Sequence, residues 1–181
     1  MIPRLMLVVD LAHIELGRAA TQDFVAVQIR DRAASGRALA VAARELGAAG
    51  ARVIVNDRAD VCRATGAAGV HLPEVGLSVE DARRVVGPEA LVGVSLHADS
   101  DLGRATGADY AVFGPVFASP GKGDGVGLGA LGAAARRLAI PVLAIGGIDQ
   151  TNARAALGAG AAGVAVLRAA SRLDALLEVV R

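Results

Sequence analysis

Short aliphatic runs recur along the whole chain, and the stretches between them keep a different rhythm. The runs are Leu5–Val9, Phe24–Ile29, Arg52–Val55, Gly69–Leu72, Leu91–Ser95, Tyr110–Phe113, Val142–Ile145 and Gly163–Val166. They are nearly continuous in apolar residues, the pattern of parallel strands covered on both faces. Between them, Ala38, Val41, Ala42 and Leu46, then Val79, Ala82, Val85 and Val86, then Ala153, Ala156 and Leu157 fall at helical spacing. Gly50, Gly66, Gly87, Gly107 and Gly160 stand where such helices would close, as expected of the residue just past a helix end. Strand–helix repeats of roughly twenty-odd residues predict an α/β fold, a single (β/α)8 TIM barrel, compact and with short loops. A doubly wound open sheet is the alternative. The first connection, Leu11 to Asp23, is lean and predicts a truncated helix.

The length of 181 residues is that of one domain, so the barrel is expected to span residues 1–181. Hydrophobic residues make up 54% of the chain, yet no apolar run is long enough for a membrane span. The excess is aliphatic and interrupted, which builds a large core. The apolar start, Met1 to Asp10, is too short for a signal peptide. One cysteine, Cys62, excludes an internal disulfide framework and fits a reducing cytoplasm, with Cys62 read as a small buried hydrophobe. The 19 basic residues nearly balance 18 acidic ones and aromatics are 2%, so the basic, ring-bearing face of a nucleic-acid binder is missing. A homo-oligomer is left open.

In a barrel, chemistry sits at the C-terminal ends of the strands. Polar residues collect at those ends: Asp10; Gln28, Arg30 and Arg32; Asn56 and Asp57; His71 and Glu74; Ser95 and His97. The sixth strand, entered at Asp109, runs into a glycine-rich loop that carries Ser119 and Lys122, with Gly121, Gly123, Gly125, Gly127 and Gly129 around them. A side-chain-poor loop holding one cation suits phosphate or pyrophosphate, and this loop is expected to close over bound ligand. The seventh strand ends in Gly146-Gly147, where a backbone without Cβ atoms can approach phosphate oxygens. Arg30 offers a bidentate fork for an anion. Asn56 could read a ring edge, and Asp57 could serve Mg²⁺, with a cap on the helix that follows as the alternative.

Seven segments, in order and at compatible spacing, resemble the thiamin phosphate synthase and thiazole tautomerase superfamily. They are Val27–Arg30, Val55–Asp57, Gly69–Leu72, Gly93–His97, Ala108–Phe117, Pro141–Ile148 and Gly160–Val166. The resemblance implies a synthase that joins hydroxymethylpyrimidine pyrophosphate to thiazole phosphate and releases pyrophosphate. Gln28, Arg30, Asn56, Ser95, Ser119 and Lys122 would surround the pyrimidine pyrophosphate, with Arg30, Lys122 and Ser95 as the catalytic group. Asp57 would hold Mg²⁺, and Gly146, Gly147, Ala165 and Val166 would cradle the thiazole phosphate. The family's second metal aspartate falls at Gly76, with Glu74 nearby, and its second loop threonine falls at Gly121. Ile29–Arg32 and Leu72–Ser78 look closer to the tautomerase branch, whose catalytic histidine corresponds to Pro115 here. His71 or His97 would have to stand in for it. The readings are therefore a synthase, a thiazole tautomerase, or a non-catalytic binder of thiazole or thiamin phosphate.

Overall fold

Successive side chains of a strand point to opposite faces, so each aliphatic run can feed two cores at once. In the computed structural model, which describes residues 1–119, 121, 123–167 and 172–181, eight parallel strands close into a barrel in chain order. They are β1 (Leu5–Val9), β2 (Val25–Ile29), β3 (Val53–Asn56), β4 (Gly69–Leu72), β5 (Leu91–Leu96), β6 (Tyr110–Phe113), β7 (Val142–Ile145) and β8 (Gly163–Val166). Every run read from the sequence is a strand, with ends moved by one residue at β2, β3 and β5. The open-sheet alternative is excluded, because β1 pairs with both β2 and β8.

The helices are α1 (Ile14–Arg18), α2 (Gly36–Ala48), α3 (Ala59–Thr65), α4 (Val79–Val86), α5 (Gly127–Arg137), α6 (Ala153–Gly158) and α7 (Leu173–Val180). The truncated first helix is there: a 3-10 turn, Leu11–His13, runs into the five residues of α1. The β5–β6 link is leaner than its length suggests and holds only a 3-10 turn, Leu102–Ala105. Its Asp, Ser and Gly residues are weak helix formers, and Asp101 caps the turn by accepting from the Gly103 N–H. Among the described residues no helix is long and apolar enough to cross a membrane.

Two cores result. Leu7, Val27, Ile29, Val53 and Val55 face outward and meet the helices. Against them α2 lays Leu39, Ala42, Ala43 and Leu46, one stripe at helical spacing. Ser35 starts that helix by accepting from the Ala38 N–H at 3.2 Å. Met6, Val8, Ala26, Ile54, Tyr110, Val112, Leu143 and Ala165 fill the barrel itself. Tyr110 is by far the largest of these and is fully buried. Its ring occupies the space that a side chain at residue 93 would need, since a Cβ there would sit 2.1 Å from the ring. Glycine at that position is therefore the counterpart of tyrosine across the β5–β6 pair.

The same parity that points Ala26 and Ile54 inward points Gln28 and Asn56 inward one layer higher. His71 and Ser95 follow Gly69 and Gly93 in the same way. The apolar filling thus ends below a polar layer at the C-terminal mouth. Gly93→Ala should overpack this interior and lower the unfolding free energy by about 1–3 kcal/mol. Urea unfolding of the purified variant measures the change, and an unaltered midpoint would contradict the packing described.

Candidate active site

A cavity of about 560 Å³ opens at the C-terminal ends of the strands. Gln28, Arg30, Asn56, Ser95, Ser119, Gly146, Gly147, Ala165 and Val166 all line it. Asp57 stands just beyond the lining, one residue after Asn56. Lys122 lies outside the described residues, although Ser119 of the same loop reaches the cavity that Arg30 enters. His71, His97, Pro115, Asp149 and Arg172 line it as well. Arg172 was not legible in the sequence, because it stands past the last strand and belongs to no motif.

The pyrimidine side, as the resemblance names it, is a set of partnered and unpartnered donors. The Gln28 amide donates to Asn56 Oδ1 at 2.9 Å, which leaves the Asn56 amide N–H groups free for a ring edge. Beside them His71 is fully enclosed. Its Nε2 lies 2.9 Å from Ser95 Oγ and its Nδ1 lies 3.3 Å from the Tyr110 hydroxyl, whose ring stacks on the imidazole. Burial, and then the charge of Arg30, push the imidazole down to about 4, so it is neutral at physiological pH. Burial also pushes the Tyr110 phenol up, so it stays protonated. The buried Tyr110 O–H has no other acceptor among the described hydrogen bonds, which favours the tautomer in which it donates to Nδ1 and the Nε2 proton is donated to Ser95. The serine hydroxyl hydrogen is then left for whatever occupies the cavity.

Arg30 is half-buried, and no carboxylate of the described residues lies within ion-pair distance of it. Desolvation, and then the charge of Arg32, lower its pKa. A guanidinium held this way suits an anion that the described residues do not supply.

On the neighbouring strand's end, just past β3, Asp57 has a left-handed backbone with φ of 58°, the one described non-glycine residue with a positive φ. It does not cap α3, whose N-cap is Arg58 with no side-chain cap bond. A Cβ at Gly76 would lie 3.2 Å from Asp57 Oδ1, so residue 76 is where a second carboxylate would meet the first. Glu74 does not fill that role. Its carboxylate accepts from the Ser100 hydroxyl and lies 2.9 Å from His97 Nδ1, though out of line for a hydrogen bond. The Ser100 bond above all holds the Glu74 carboxyl below its usual range. Among the described residues no three His, Cys, Asp or Glu side chains converge on a common metal position. One unpartnered carboxylate beside an open position still fits Mg²⁺, which commonly takes one or two carboxylates plus substrate phosphates. Cys62 is apart from all this: its thiol faces the Ala67 carbonyl, and burial pushes it up to about 11.

At the far end of the cavity, Asn152 Nδ2 donates to the Gly147 carbonyl at 2.8 Å and fixes that peptide. The N–H groups of Gly147 and Ile148 have no backbone acceptor among the described residues, which makes them available to an anion. The missing Cβ atoms of Gly146 and Gly147, expected from the sequence to admit phosphate, also make room for the loop after β6. A Cβ at Gly146 would sit 2.5 Å from Pro115, and one at Gly147 would sit 2.4 Å from the Ala118 carbonyl. Both glycines also have positive φ, 94° and 63°. They are required because the loop after β6 is laced to the end of β7, with Val116 N–H bonded to Ile145 and Phe117 N–H to Gly146. That loop is also closed on itself, Ser119 N–H to the Gly123 carbonyl at 3.2 Å.

A family model described as thiamine monophosphate synthase matches residues 7–170. The chain belongs to that family. It is 44% identical over 167 residues to the thiamine-phosphate synthase of Methanoculleus marisnigri, covering 87% of this chain and 79% of that protein. It is 41% identical over 164 residues to the thiamine-phosphate synthase of Chlorobium luteolum, covering 86% and 77%. Among solved structures, the thiamine phosphate pyrophosphorylase of Pyrococcus furiosus superposes with a TM-score of 0.83 at 28% identity, over 98% of this chain and 95% of that one.

For a thiamine monophosphate synthase family member, the enclosed histidine has a thermodynamic consequence. An unfolded chain binds a proton on His71 near pH 6.5, whereas the folded chain takes it up only near pH 4. The unfolded state therefore binds more protons between those values, and this residue makes stability fall as pH drops through the window, by up to about 3 kcal/mol. Urea unfolding at about pH 7.5 and about pH 5 should show that loss. His71→Gln should have a smaller loss over the same interval, and an equal loss in both proteins would refute the assignment.

Proposed function

We propose that the cavity is the active site of a thiamine-phosphate synthase. The reaction joins the hydroxymethylpyrimidine group of its pyrophosphate ester to the ring nitrogen of thiazole phosphate and releases pyrophosphate. The observation that carries this reading is Arg30, a half-buried cation without a protein counter-charge, set beside neutral donors that suit a heteroaromatic ring. Family membership across residues 7–170 supports it.

The chemistry asks little covalent work of the protein. The carbon–oxygen bond to pyrophosphate breaks, the electron-rich aminopyrimidine carries the developing positive charge, and the thiazole nitrogen supplies the electron pair of the new bond. The protein must stabilise the departing anion and hold two rings in line. Arg30 and the free Ser95 hydroxyl are proposed to bind the pyrophosphate, joined by Ser119 and Lys122. Gln28 and Asn56 orient the pyrimidine. Gly146, Gly147, Ala165 and Val166 take the thiazole phosphate. Asp57 would hold Mg²⁺, which when bound neutralises charge on the pyrophosphate. With Gly76 opposite, the site has one protein carboxylate, so the ion should bind together with pyrophosphate rather than ahead of it. The proposal places this catalysis in one domain, residues 1–181, acting in the cytoplasm on small phosphorylated substrates.

Incubating the purified protein with both substrates and Mg²⁺ tests the reading. Thiamin phosphate should accumulate, measured by fluorescence after oxidation. Thiazole isomerisation followed by NMR would favour the tautomerase instead, and ligand binding without either turnover would favour a binder. Arg30→Ala should lower kcat/KM by the equivalent of about 2–4 kcal/mol, the scale for removing one charge-stabilising donor, and leave the urea midpoint nearly unchanged. Gly76→Asp should give the free protein measurable Mg²⁺ affinity in calorimetry without any substrate, by supplying the second carboxylate beside Asp57. Equal Mg²⁺ binding in the two proteins would argue against a metal at Asp57.

A further inference from the structure

The end of the cavity formed by Gly146, Gly147, Val166 and Leu167 is not electrostatically neutral. Asp149 lines it too, and an ionised carboxylate there repels an incoming phosphate. Its oxygen Oδ1 accepts from the Thr151 N–H at 2.8 Å and from the Thr151 hydroxyl at 2.6 Å. These bonds hold the group in its charged form, with the charge of Arg172 adding to the effect. Arg172, at the start of α7, lines the same end of the cavity. No acidic side chain of the described residues is within ion-pair distance of it. Its guanidinium is near enough to Asp149 to be felt, is not consumed by it, and lines the same cavity as Gly147 and Ile148, whose amides are open.

We infer that Arg172 is a phosphate-binding and specificity-determining residue. It reads the phosphate monoester of the second, thiazole-bearing substrate and offsets the repulsion from Asp149. This rests on the function proposed above and adds to it a cation that no motif marks. Two neutral amides can hold a phosphate, but beside a carboxylate they favour an uncharged hydroxymethyl or hydroxyethyl end almost as well. A guanidinium reverses that preference, because its planar fork matches phosphate oxygens and its charge answers both the ligand and Asp149.

Calorimetry on the full chain decides the matter, with thiazole phosphate and the dephosphorylated thiazole alcohol titrated into wild type, Arg172→Gln, Arg172→Lys and the double variant Asp149→Asn/Arg172→Gln. Arg172→Gln should weaken thiazole phosphate about tenfold or more, the scale for a hydrogen bond to a charged group, and leave the alcohol within twofold. Its thiazole phosphate affinity should also depend less steeply on salt. Arg172→Lys should recover part of the loss, and the double variant should recover part by removing the repulsion. Thiazole phosphate bound by wild type and by Arg172→Gln with equal affinity overturns the inference alone. Failure of wild type to bind thiazole phosphate at all overturns the function proposed for the site and the inference with it.

Discussion

The inside of a barrel of eight short parallel strands has room for few side chains, and how that room is filled governs the rest of this molecule. Each strand contributes one or two inward positions below the mouth. Here they are occupied by small aliphatics and a single large ring, Tyr110. Placing a tyrosine in that space requires an absence elsewhere, which Gly93 provides. It also requires a partner for a buried hydroxyl, and His71 is the partner within reach. The imidazole in turn needs something at its other nitrogen and finds Ser95 at the level of the cavity. A packing decision at the bottom of the barrel thus reaches the mouth through three side chains and sets which way a hydroxyl can donate.

Charge is distributed over the mouth with the same economy. Arg30 stands on β2's side with the Gln28 and Asn56 amides, while the Gly147 and Ile148 amides and Arg172 stand across at β7 and β8. A reaction between two anionic partners needs such a separation. Each anion must be neutralised by its own group, or mutual repulsion would keep the reacting atoms apart. Val112, Pro115, Ile145 and Ala165 line the cavity as well and give it an apolar surface.

Most of the architecture could be read from the amino-acid order because both local signals agreed. The buried runs were unbroken, and the glycines after the helices adopt positive φ at Gly50, Gly66, Gly87, Gly107 and Gly160. The β5–β6 link was harder, since nothing in residues 97–109 says how little helix suffices to cross between strands that are already adjacent. The positions of Gln28, Asn56, His71 and Ser95 followed from strand ends and parity. Arg172 could not follow from either, because only the closing of α7 against the barrel brings it to the cavity. A second reason for glycine at 146 and 147 was hidden in the same way: their neighbours Pro115 and Ala118 come from the loop after β6, and contacts of that range leave no local trace.

Asp57 carries a conformation that suits glycine better. An L-residue held in the left-handed region costs about 1 kcal/mol relative to its ordinary backbone, and Asp57 gains no cap bond in return. Folding on its own would exchange it for glycine, as the chain has done at Gly66 and Gly87. Its neighbour at position 76 is already glycine, so of these two adjoining positions only residue 57 keeps a carboxylate, and keeps it on a strained backbone. Drift toward a more stable molecule would erase that carboxylate first, so a single substitution at residue 57 would relieve the backbone and remove the charge together.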